Sequence, residues 1–99
     1  MMTRAEIKEM EIGSGKILAV RVELPGAPLL LAVAPKGYLM CGYLNIETAA
    51  KLNQAAATVK GIHSFDEMLE AKVVAVTPRA MGMGVKKGMS GREAILKMF

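Results

Sequence analysis

Hydrophobic and polar positions alternate along the first half of the chain and then change period. Between Lys16 and Leu24, Leu18, Val20, Val22 and Leu24 fall on one side, with Arg21 and Glu23 on the other. A period of two predicts a half-buried strand with its leucines and valines turned inward. Glu6 to Ile12 predicts a strand before it, and Gly13-Ser14-Gly15 the turn between them, because glycine takes positive φ without steric cost. Pro25-Gly26-Ala27-Pro28 turns the chain again. The continuous apolar run Leu29-Leu30-Leu31-Ala32-Val33-Ala34 then predicts a central strand covered on both faces. Pro35-Lys36-Gly37 leads into a fourth strand, Tyr38 to Leu44. Four strands joined by short turns predict an antiparallel meander.

From Asn45 the period is helical. Asn45 is a good N-cap, and Ile46, Ala49, Ala50 and Asn53 map one face, with Leu52 beside it. Residues 55–60 read as an extension of that helix or as a short strand, and β-branched Thr58-Val59 before Gly61 favours the strand. Ser64-Phe65-Asp66-Glu67 has capping-box spacing, and Phe65, Met68 and Leu69 supply the apolar stripe of a short helix. Lys72 to Val76 predicts a strand ended by Thr77-Pro78, followed by a glycine-punctuated loop or edge strand. Ser90-Gly91-Arg92-Glu93 is a second capping box, opening a helix through Ala94, Ile95 and Met98. Strands first and mixed units later predict one α+β domain over residues 1–99, with about three short helices packed on its sheet.

With no Trp, two Phe and two Tyr among 99 residues, the core must be aliphatic. Nine Met suit irregular gaps and adaptable contact surfaces. A domain this small buries a limited share of its surface, so a homo-oligomer is expected. The longest apolar run, Leu29 to Ala34, is far short of the ~20 residues that cross a bilayer. The start, Met1 to Glu6, is charged and has no apolar leader core. No membrane partner and a cytoplasmic location are expected.

Charge is uneven. Residues 72–99 carry six basic side chains (Lys72, Arg79, Lys86, Lys87, Arg92, Lys97) against Glu93 alone. That excess suits a small anion. Gly84, Gly88 and Gly91 permit close backbone approach, Ser90 opens a helix, and Lys86, Lys87 and Arg92 add charge, so this segment is the expected ligand-binding surface. It matches neither phosphate-loop nor dinucleotide spacing, and no cofactor is expected. Nucleic acid is disfavoured: aromatics for stacking are scarce and the signatures of common RNA-binding modules are absent.

Cys41 is the one cysteine, which excludes an intramolecular disulfide. As a catalytic thiol it needs a nearby base or cation; as a core residue it needs only apolar neighbours, which Leu39, Met40, Tyr43 and Leu44 largely are. His63 is the one histidine and would have to come within hydrogen-bond reach of Cys41 to act as its base. One Cys and one His fall short of a zinc ligand set, so no metal is expected.

Two stretches carry a resemblance. Lys36-Gly37-Tyr38-Leu39-Met40-Cys41-Gly42 resembles a K-G-Y-x-M-C-G segment, and Gly84 to Ala94 resembles a G-[IV]-x-x-G-M-x-G-x-E-A segment. In this order and separation they resemble the YunC-like family, a domain of unknown function. The similarity extends to the Glu23-Leu24-Pro25 turn and the Phe65–Ala71 helix, while His63 lies outside the shared pattern. The resemblance implies a compact fold containing both α and β structure, and no catalytic residues.

Overall fold

Six strands follow one another across a single sheet in chain order: β1 (Ala5–Ile12), β2 (Gly15–Val22), β3 (Leu29–Ala34), β4 (Gly37–Met40), β5 (Ala56–Thr58) and β6 (Ala75–Val76). The structure, a computed structural model, describes residues 5–99, so most of the charged start lies outside it. β1 to β4 form the expected antiparallel meander. β5 then pairs with β4 in parallel, because α1 (Ile46–Lys51) carries the chain back along the sheet between them. The strand reading of residues 55–60 therefore holds.

Three further helices are present: α2 (Phe65–Glu70), α3 (Pro78–Gly82) and α4 (Gly91–Leu96). Asn45, Ser64 and Ser90 cap α1, α2 and α4 as their spacing predicts. α3 lies where a loop or edge strand was expected. Thr77 does not simply end a strand; its hydroxyl accepts the Ala80 N–H, and Pro78 occupies the first turn, where its missing N–H costs nothing.

α2 and α4 pack together on one face of the sheet. Leu30, Leu39, Met68, Ile95 and Met98 are each at most 1% exposed there, and burying such side chains contributes about 1.5–3 kcal/mol apiece. The inward side of β2 is the opposite of the one its leucine and valine pattern suggested. Ile17 and Ala19 are buried, whereas Leu18 is 40% exposed. The reason lies in the helices. Phe65, Met68 and Leu69 of α2 sit against Met10, Ile17, Ala19 and Ala32, so the helix fixes which side of β2 is covered.

The bulkier set looks the other way. Leu18, Val20 and Val22 pair with Val33, Leu31 and Leu29 on the second face, which α1 covers only near Met40 and Ala56. β3 is thus fully buried on one side and half-buried on the other, not covered on both as predicted. The strand buried at every position is β5. In α1 only Ala49 is buried; Ala50 and Asn53 face solvent.

Gly91 is buried against α2, and a β-carbon there would drive into the Met68 carbonyl oxygen. Alanine is the better helix former in isolation, yet Gly91→Ala should destabilise the fold by about 1–3 kcal/mol through overpacking. A urea melt reads this as a lower midpoint; an unchanged or higher one contradicts the packing described.

Candidate functional site

The parallel pair ends in two connections that leave on opposite faces. From β4 the chain runs through Cys41-Gly42-Tyr43 to α1; from β5 it runs through Lys60-Gly61-Ile62-His63 to α2. Parallel strands whose connections diverge leave a crevice at their carboxyl ends. β4 stops at Met40, short of the Leu44 predicted, because the Leu44 N–H donates to the Cys41 carbonyl at 3.3 Å and closes a turn. Cys41 therefore stands at the mouth of the crevice, at the end of the strand.

Two cavities flank this turn, with Gly42 and Tyr43 in the wall of each. The first, of about 260 Å³, is lined by Cys41, His63, Gly61 and Ile62, with Ala27 and Pro28 from the β2–β3 connection. Cys41 is 4% exposed, and its Sγ accepts the Leu30 N–H at 3.4 Å. The Tyr43 hydroxyl donates to the Ala27 carbonyl at 3.1 Å and ties the two loops together.

His63 is held from both sides. Its backbone N–H donates to Glu67 Oε1 at 2.7 Å, and its carbonyl accepts from the Arg21 guanidinium at 2.7 Å. Arg21 in turn pairs with Glu23 at 2.8 Å. The imidazole Nδ1 lies 3.4 Å from Glu67 Oε1, with both side chains more than half exposed. Glu67 was read as the closing residue of a capping box; the Glu67 N–H does donate to Ser64 Oγ, but its carboxylate serves His63.

The second cavity, of about 450 Å³, lies between the start of α1 and β6, with Thr58 and Lys60 of the β5 side in its wall. Neither Thr58 nor Lys60 had any sequence signal, since a threonine in a strand and a lysine after it are ordinary. Among the described residues no three His, Cys, Asp or Glu side chains are grouped to hold a metal ion.

The Gly84–Arg92 segment is stitched into the fold elsewhere. The Gly88 N–H donates to the Val73 carbonyl at 2.9 Å, the Val73 N–H to the Met89 carbonyl at 2.8 Å, and the Gly91 N–H to the Ala71 carbonyl at 2.8 Å. Gly84 and Gly88 take φ of +95° and +92°, which suit glycine alone. Ser90 Oγ accepts the Glu93 N–H, and the Glu93 carboxylate accepts the Ser90 N–H, both at 3.1 Å. The chain's own carboxylate thus stands at the start of α4. Lys86, Lys87 and Arg92 are exposed, with Arg92 3.9 Å from Glu70. Neither cavity at the crevice draws on residues 84–92.

Comparison with known proteins agrees with this architecture. Residues 40–98 match the profile of a domain of unknown function, DUF1805. The chain is 38% identical over 84 residues to the uncharacterized protein YunC of Bacillus subtilis (strain 168), covering 81% of this chain and 83% of that one. It belongs to the YunC-like family. The crystal structure of TA1206 from Thermoplasma acidophilum, a protein of unknown function, superposes on this YunC-like domain with a TM-score of 0.94 at 37% identity. That match covers 100% of this chain and 97% of the other. The matched profile begins at Met40, so the walls of both cavities fall inside it except Ala27 and Pro28.

Because the α4 cap is satisfied within the chain, Ser90→Ala should cost about 1 kcal/mol of folding stability. Chemical denaturation measures it; a loss of zero would mean that the capping box carries no weight.

Proposed function

We propose that this is a small-ligand-binding domain whose guest enters the crevice at the carboxyl ends of β4 and β5. The observation that carries this reading is the meeting of three segments far apart in sequence, around residues 27–28, 41–43 and 61–63, on one cavity. Its wall is mostly apolar with a few polar groups at the rim, the usual make-up of a small-molecule site. The Gly84–Arg92 segment remains a place where a small anion can meet exposed lysines, but the Gly88, Ser90 and Gly91 amides already donate within the chain, which favours the crevice. Under this reading the domain works in the cytoplasm, where its single thiol stays reduced.

A second reading, a thiol-dependent reaction, is favoured by one observation: His63 shares the Cys41 cavity and has Glu67 on its Nδ1. A base held in orientation by a carboxylate beside a thiol is the arrangement nucleophilic catalysis uses. The thiol proton would pass to Nε2 as sulfur adds to an electrophilic carbon, and return from Nε2 to the leaving group.

The expected homo-oligomer has a surface to form through. On the second face, Ile7 is 67% and Leu18 40% exposed, with Val20, Val22, Leu29 and Val33 half-buried around them. Three strands about 4.8 Å apart, each contributing about five residues at ~3.3 Å rise, make this a patch of roughly 240 Å², within the few hundred Å² that a solitary domain commonly leaves open. A second copy of the same face, packed ~10 Å away, is the occupant that fits it.

Gly42→Val is the test of the site. Its β-carbon meets only the Lys60 stem, at 3.7 Å, so the variant should fold while filling the turn that both cavities share. A fragment library screened by amide NMR should give saturable shifts at Gly42, Gly61 and His63 that Gly42→Val abolishes; no such hits overturn the proposal. Iodoacetamide separates the two readings: modification of Cys41 in the folded protein favours the reactive thiol, and protection until unfolding favours binding alone. For the oligomer, Leu18→Glu should lower the mass seen in sedimentation equilibrium, and a monomeric parent at tens of micromolar would sink it.

A further inference from the structure

Two threonines are buried among the described residues, and they differ in one respect. Thr77, 1% exposed, has its hydroxyl engaged by the Ala56 and Ala80 N–H groups at 3.0 and 3.3 Å. Thr58, 4% exposed, has a hydroxyl with no partner among the described residues. Its carbonyl is in the sheet, accepting the Val74 N–H at 2.8 Å, so the backbone is satisfied and only the side chain is orphaned. A buried hydroxyl without a partner is costly, and valine of the same shape would remove the cost. Such exceptions call for an explanation in what the group is for.

Thr58 faces the second cavity, and that cavity carries charge. Lys60 and Glu47 line it on different walls, both exposed, and neither forms an ion pair with the other or with any described residue. Leu44, Ile46 and Val74 supply apolar wall between them. A buried hydroxyl, a cation and an anion around about 450 Å³ are complementary to a ligand with both charges and a short apolar body.

We propose that the second cavity binds a free α-amino acid with a small apolar side chain. Its carboxylate pairs with Lys60 and, as the Thr58 side chain turns its hydroxyl toward the cavity, accepts from Oγ1; its ammonium pairs with Glu47. The site shares Gly42 and Tyr43 with the first cavity, but Thr58, Lys60 and Glu47 belong to it alone. No ion pair joins Glu47 to Lys60, so each charge in this cavity is left to meet the opposite end of the guest.

The probe is L-valine, titrated into the intact protein and followed by the amide signals of Gly42, Thr58 and Ala75, with acetate, methylammonium and inorganic phosphate as separate arms. L-valine should bind saturably and at least tenfold more tightly than acetate or methylammonium. Thr58→Val should raise the melting temperature of the ligand-free protein while weakening L-valine at least tenfold. Lys60→Met and Glu47→Gln, both at exposed positions, should each weaken it severalfold without changing the fold. Absence of saturable L-valine binding overturns the proposal, as does undiminished binding by Lys60→Met. Acetate or phosphate binding as tightly as L-valine would overturn the two-charge assignment.

Discussion

Parallel pairing of β4 with β5 obliges the chain to run the length of the sheet between them, and α1 does so on the face opposite α2 and α4. Each feature of the candidate site descends from that crossover. Because the strand senses agree, the chain leaves both at the same end. Because α1 and α2 lie on opposite faces, the two exits part, and the space between them is left to loops. An antiparallel β5 would have put residues 61–63 at the far end of the sheet, away from Cys41.

The crossover makes a demand on side-chain size that the sequence meets at β5. Ala56 packs with Met40 and Ala49 on the α1 side, while Ala57 belongs to the cluster beneath α2 and α4. A strand with helices on both faces takes small side chains where those helices approach it, as at Ala56 and Ala57. The Tyr38 N–H to Ala55 carbonyl and Val59 N–H to Met40 carbonyl bonds, at 3.1 and 2.9 Å, extend the ladder past its ends and hold the two exits close.

Local signals made much of this legible. Turn residues and alternation located β1 to β4, and the caps at Asn45, Ser64 and Ser90 set three helices within a residue of their observed starts. Facing was not legible in β2. Leu18, Val20 and Val22 form the cleaner pattern, but burial followed Ile17 and Ala19, which meet Phe65, Met68 and Leu69 of α2, and only the tertiary contact contains that information. The Thr-Pro start of α3 was legible in principle, as a cap followed by proline at the first position. At the site, Cys41 and His63 could be singled out by type, while their meeting depended on strand sense, which periodicity does not encode. Thr58 and Lys60 had nothing local to mark them.

The segment with the most conspicuous composition turned out to be tied closely into the fold, and the reason is general. Glycines at positive φ and a serine cap are needed wherever a chain must fold tightly back on itself, and Gly84 to Gly91 does so against residues 71–73 through alternating backbone bonds. The same residue types that can cradle an anion also close a loop on its neighbour, and the amide hydrogens serve one purpose or the other. Here Glu93 and the Ala71 and Val73 carbonyls engage the Ser90, Gly91 and Gly88 donors. At the crevice the balance is reversed: among the described residues the Thr58 hydroxyl has no partner and Lys60 no ion pair. Polar groups that a fold has not used are a better guide to a guest than polar groups it has.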